Sequence, residues 1–200
     1  MAYPTVSGPY GLIPINLIGG QVFASATRQI PIPSAYTTAI YFGDVVKLAN
    51  TGTLAIETNT SAATPVGVFL GCAYTDPTYG KTFRQAYPGA VTASDIVGYV
   101  QDDPDCLFKV AVVSSGTTIS SVTRANVGEN TALVLNTGNT VTGDSQVAVS
   151  STCSTASTLP IRIIDVIAET ANTSTATTLY TEVVIKWNQG LHQYLNPTGV

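Results

Sequence analysis

The stretch Pro65-Val66-Gly67-Val68-Phe69-Leu70-Gly71-Cys72-Ala73 decides the fold class. After the proline the run is apolar on both faces, so a strand here has no side for water and lies centrally in a sheet. Its two interior glycines predict close approach of a neighbouring backbone, or a bulge. Working upstream, Ala39-Ile40-Tyr41-Phe42 leads through Gly43-Asp44 into Val45-Val46-Lys47-Leu48, and Asn50-Thr51-Gly52 supplies a turn before Leu54-Ala55-Ile56-Glu57. Downstream, residues 96–100 and 106–113 read as a hairpin across Asp102-Asp103-Pro104-Asp105, with Phe108, Val110 and Val112 alternating onto one face. A short helix is expected over 119–126, with Gly128 near its end. Further strands are expected at 131–135, 141–149, 160–168 and 178–187. Residues 150–158 read as a Ser/Thr loop and 188–200 as a tail.

Composition agrees with that pattern. The chain of 200 residues holds 30 Thr, 22 Val and 14 Ile, a third of the whole. These β-branched side chains are stiff at χ1 and suit a pleated surface better than a helix. Charged residues make up 10%, against about 25% in an average soluble domain, while the apolar share of 44% is ordinary. Disorder is therefore disfavoured, because it needs low hydrophobicity and high net charge. Eight basic residues dispersed from Arg28 to Lys186, at a net charge of −4, offer no footprint for nucleic acid.

Residues 1–27 carry no charged side chain, but Pro4, Pro9, Pro14 and Gly19-Gly20 break the segment and no basic region precedes it. It reads as neither a signal peptide nor a membrane span, and the expectation is a protein that is not exported. Residues 1–35 are read as an extended, Pro/Gly-rich N-terminal arm, and 36–200 as a single β domain with a C-terminal tail. The arm carries Leu12, Ile13, Ile15, Leu17 and Ile18, too apolar for a free linker. It is expected to lie along its own domain or a neighbouring subunit. The stretch 74–90 reads as a long irregular loop rich in Tyr, Pro and Gly that also holds Lys81 and Arg84. Such loops tend to be functional, and Tyr and Arg are enriched at the energetic centres of interfaces. Tyr79, Lys81, Arg84 and Tyr87 are thus candidate contact residues for a partner or another subunit, together with the apolar residues of the arm.

Chemistry leaves few marks. Cys72, Cys106 and Cys153 are widely spaced and odd in number, which favours free buried thiols over disulfides or zinc. The single His192 has no nucleophile near it in sequence. Three carboxylates in the 102–105 turn lack the spacing of a calcium loop and suit an ordinary Asp/Pro turn. Asp95 with Asp102 or Asp103 is the one carboxylate pair to test for glycoside hydrolysis. No catalytic residue, cofactor or metal site is expected.

Several segments together carry a resemblance: Tyr41-Phe42-Gly43-Asp44-Val45-Val46-Lys47-Leu48, Thr64-Pro65-Val66-Gly67-Val68-Phe69-Leu70-Gly71, Ala125-Asn126-Val127-Gly128-Glu129-Asn130, and Val183-Val184-Ile185-Lys186-Trp187-Asn188 with His192-Gln193-Tyr194. Over 40–195 the chain resembles the capsid decoration, or cement, proteins of tailed phages, particularly those of marine phages. The resemblance implies a compact all-β barrel, β-tulip or sandwich of short antiparallel strands with at most one or two short helices. It implies a non-enzymatic virion protein, assembled in the host cytoplasm, that binds the outer capsid surface and stabilises the shell by bridging subunits. Its partners would be the major capsid protein and further copies of itself, a trimer first, with neither nucleic acid nor membrane involved. The alternative is a fibre or adhesin module that binds glycans.

Overall fold

The computed structural model describes residues 6–24, 26–173 and 176–199. In chain order the strands are β1 (Ile13–Leu17), β2 (Arg28–Pro31), β3 (Val45–Leu48), β4 (Leu54–Ile56), β5 (Gly67–Asp76), β6 (Gly80–Arg84), β7 (Val97–Gln101), β8 (Cys106–Ser115), β9 (Thr118–Ile119), β10 (Asn130–Val134), β11 (Ala148–Ser154), β12 (Ile161–Val166), β13 (Ala171–Asn172), β14 (Leu179–Tyr180) and β15 (Glu182–Trp187). Helix among the described residues is limited to single 3-10 turns at Arg124–Asn126 and Ala168–Thr170. The all-β expectation holds.

Five strands close a barrel in the order β8-β11-β10-β12-β15, with β15 returning to β8 through pairs such as Val183↔Val110. The pairing of β8 with β11 is parallel, an exception to the expected antiparallel pattern. The first half of β8 also carries β1, in the register Ile13↔Lys109. Phe108, Val110, Val112, Leu133, Ile161, Ile163 and Ile185 are among the side chains that fill the barrel core. Closure gives every ring strand a partner on each side.

The second sheet runs β2-β7-β5-β3-β4, with β6 paired to the outer half of β5. As the sequence predicts, β5 is central, and its glycines mark a close approach and a bulge. A Cβ on Gly67 would run into the Gln101 carbonyl oxygen of β7. At Gly71 (φ 143°) the register slips between Phe69 and Gly71. The core here gathers Ile30, Ile32, Ile40, Leu54, Phe69, Tyr74, Tyr87 and Val100. The two bodies meet through main-chain bonds, Leu12 N–H to the Gly43 carbonyl at 3.0 Å and Ser145 N–H to the Phe42 carbonyl at 2.8 Å.

The described part of 1–35 lies along its own domain, one of its two expected placements, with β1 in the barrel sheet and β2 paired with β7. Three local expectations are corrected. The strands at 96–100 and 106–113 are not a hairpin: the acidic turn between them carries the chain from the second sheet into the barrel. The helix at 119–126 shrinks to one turn, closed by Thr123 and Asn126, because Ile119 and Val122 are drawn into strand pairings. The Ser/Thr-rich 150–158 stretch is partly strand, as β11 runs to Ser154 beside β10.

Candidate functional site

Two surfaces collect the residues singled out from the sequence. On β1, successive side chains alternate across the sheet, so Ile13 and Ile15 point outward, at 37% and 36% exposure, while Leu12 just before the strand is fully buried. Leu12 is thus a core residue and not a contact candidate, and Leu17 is half-buried against the barrel core. A tight turn follows, with Gly20 N–H on the Leu17 carbonyl at 2.9 Å and Leu17 N–H on the Gln21 carbonyl at 2.8 Å. It leaves Ile18 half exposed and Val22 82% exposed. The stripe is held firmly from behind. Tyr10, just upstream, donates its hydroxyl to Glu182, which also pairs with Lys109 at 2.9 Å, and burial with that carboxylate pushes the Tyr10 phenol up.

The second surface corrects the irregular loop. Residues 74–84 form a projecting hairpin of β5 and β6. Its turn closes where Asp76 Oδ1 accepts Thr78 N–H at 2.8 Å and Tyr79 N–H at 3.1 Å, before Gly80 at φ 73°. The Pro, Tyr and Gly residues that read as irregular are turn chemistry. Tyr79 stands at the tip at 79% exposure, and Phe83, down β6 opposite Ala73, is 69% exposed. Phe83 is missing from the sequence-derived candidates; reading Asp76-Pro77-Thr78-Tyr79-Gly80 as a hairpin turn brings it out by alternation. Lys81 pairs with Asp95 at 3.0 Å, and Arg84 lies over the Tyr74 ring at 6.0 Å. Tyr87 is not a contact residue. It is fully buried, donates its hydroxyl to the Tyr36 carbonyl at 2.8 Å and exchanges main-chain bonds with Ile40.

Charge is spent inside the molecule. Six of the eight basic residues form ion pairs, Arg84 stacks on Tyr74, and Arg162 donates to Asn130 at 2.9 Å. The acidic turn is divided likewise. Asp102 accepts Arg28 and the Tyr194 hydroxyl, Asp103 accepts the Asp105 N–H at 2.8 Å, and Asp105 pairs with Lys186 at 2.7 Å. No group of three or more His, Cys, Asp or Glu among the described residues is arranged to hold a metal ion. Asp95 and Asp102 flank opposite ends of β7, roughly 20 Å apart at about 3.3 Å per residue, which overturns them as a hydrolytic pair. Asp95 is held well below the usual carboxylate range by its bonds from the Thr75 backbone and hydroxyl and from Lys81.

One enclosed carboxylate stands out. A cleft of about 370 Å³ is lined by Tyr41, Asp44, Ile56, Glu57, Leu135 and Gly138, among others. Glu57 is saturated by Lys47 and the backbone N–H groups of Thr58, Asn59 and Thr64. Asp44 is buried, accepts Tyr41 N–H at 2.8 Å through Oδ2, and leaves Oδ1 without a hydrogen bond. Burial pushes its carboxyl up to about 6, against the pull of Ser145 and the Tyr41 N–H. The thiols of Cys72 and Cys106 are free, buried, and pushed up by burial to about 11, and Cys153 is free and half-buried. Such thiols are poor nucleophiles.

No family model matches the chain, and no curated protein or solved structure does so either.

Proposed function

We propose that this protein is a non-enzymatic virion component that decorates the outer face of a phage capsid and bridges its subunits. The observation that carries the reading is the outward apolar stripe of Ile13, Ile15, Ile18 and Val22, rigidly backed by the barrel on a molecule whose cations are all internally engaged. Such a surface binds by packing, and packed apolar contacts are little affected by the salt that screens charge pairs. The sequence resemblance to decoration proteins supplies the partner, the major capsid protein, and self-association as a trimer. Many weakly bound copies then stabilise a lattice by mass action, because only the assembled state binds them.

The test is occupancy on particles. Purified virions should contain the chain in hundreds of copies, and expanded capsids lacking it should take it up at both 50 mM and 500 mM salt. Ile15→Lys with Ile18→Lys should abolish uptake while the circular dichroism of the β body is unchanged. Absence from virions ends the reading.

A second reading, a glycan-binding fibre module, draws on Tyr79 and Phe83, whose exposed rings on the hairpin offer faces for sugar stacking. Glycan-array binding lost in Tyr79→Ala, with no uptake by capsids, would favour it.

A further inference from the structure

Beyond β15 the chain folds back over the seam between barrel and second sheet. Asn188 donates to the carbonyls of Ser157 and Leu159 at 3.0 and 2.9 Å on the barrel side. On the sheet side, the Gln193 amide brackets Leu48 of β3, accepting its N–H at 2.7 Å and donating to its carbonyl at 3.1 Å. Gln193 N–H also reaches the Pro65 carbonyl at 2.9 Å. Between these two anchors sits His192, fully buried, with its ring 6.4 Å from that of Trp187 and 5.2 Å from that of Tyr194. They are the only histidine and the only tryptophan in the chain.

We propose that this clasp is an acid-operated latch: protonation of His192 releases residues 188–196 from the second sheet while both sheets stay folded. The neutral ring has one nitrogen left for a second proton, Nδ1, and it is already engaged. Nδ1 accepts the Tyr194 N–H at 3.3 Å, and Nε2 is buried without a hydrogen bond. Charging the ring requires giving up the first bond and leaving a cation out of water, a cost paid most readily by opening. The charged groups around it do not reverse that. Asp102 and Asp103 favour the cation, but Asp102 is already committed to Arg28 and to the Tyr194 hydroxyl at 2.8 Å. Lys186 opposes the cation and is itself tied to Asp105. The Val66 backbone helps, and burial outweighs these together. What holds the far end is a handful of hydrogen bonds from two residues, Gln193 to Leu48 and Pro65 and Tyr194 to Asp102, a local attachment that opens without unfolding either core.

The chain carries its own reporters. The single imidazole resonance should titrate below the ordinary 6.5 in the full-length protein. Over the same pH interval Trp187 fluorescence should change, and protection factors at the Gln193 and Leu48 amides should fall at least tenfold while those of β8 hold. His192→Phe, which keeps a ring between Trp187 and Tyr194, should remove the step in protection. Asp44→Asn should leave it, which separates it from the other buried group titrating nearby. A step that persists in His192→Phe overturns the latch. Should that variant fail to fold, the wild type decides alone: imidazole titration with unchanged protection at Gln193 and Leu48 also overturns it.

Discussion

Each ring strand of the barrel has a partner on both sides, whereas the second sheet ends, among the described residues, in β2, β4 and β6 with one open side each. The open sheet manages its edges piecemeal. β4 is only three residues long, β2 ends in Pro31 and begins with Arg28, and β6 carries Lys81 and Arg84. Short strands, proline and charge are the ordinary means of discouraging edge-to-edge pairing. Leu48 on β3 has its main chain occupied by a side chain from the C-terminal segment instead. Closure makes the barrel the body on which global stability depends. Piecemeal protection makes the sheet the region where small changes alter contacts without unfolding the chain.

The sharpest way to break this contrast is a cavity in the ring. Phe108 is fully buried against Trp187, with ring centroids 5.2 Å apart. Phe108→Ala should cost about 3–5 kcal/mol, a large part of a domain's total stability, and urea titration should show both sheets lost together. Loss of barrel signals alone would mean that the bodies unfold independently.

Asp44→Asn acts at the junction and should have the opposite sign. In the folded state Asp44 holds its proton to about pH 6, while unfolded it releases it near 3.8. Wild-type stability from this group therefore falls as pH rises from 4 to 6, by an upper bound of about 3 kcal/mol. The asparagine should stabilise the protein at pH 7 and remove that slope. His192 runs the other way, since its lowered folded value costs stability as pH drops below 6.5. Denaturation midpoints of Asp44→Asn should thus rise monotonically with pH between 5 and 7.

Gln193→Ala removes two bonds from the β3 edge and should cost about 1–2 kcal/mol, with raised amide exchange at Leu48 and little change inside the ring. Smallest of all, Tyr79→Ala and Phe83→Ala remove exposed rings and should shift stability by less than about 0.5 kcal/mol. Any loss of capsid or glycan binding in them then belongs to the surface itself.

What the chain's residues disclosed, and what they hid, follows from how far each feature reaches. The centrality of β5, its bulge at Gly71 and the turns at 43–44 and 50–52 are legible because alternation and glycine act over a few residues. Partner choice is not local. Pro14 and Pro31 argue for extended backbone, and both lie in strands at sheet margins where a missing donor is tolerated. Nothing in their neighbourhood says that β8 and β7 will be the partners. The strands at 96–100 and 106–113 satisfy every short-range hairpin signal and still part into different sheets. Leu12 and Tyr87 were candidates for an interface because apolar and aromatic side chains suit both cores and contacts, and only burial separates the two uses. His192 reads as an isolated histidine until the chain's fold-back sets it against Trp187.

The position of β8 in the barrel also has a consequence in time. A strand from the middle of the chain, it pairs with residues 13–17 on one flank and 182–185 on the other. The ring cannot be completed on a ribosome until residue 187 has left the exit tunnel, so β8 emerges about seventy residues before the strand that closes the ring against it. Pairings this distant make for slow folding, on the order of milliseconds to seconds. Unpaired strand edges in such an intermediate are prone to aggregate, which is the condition chaperones act on.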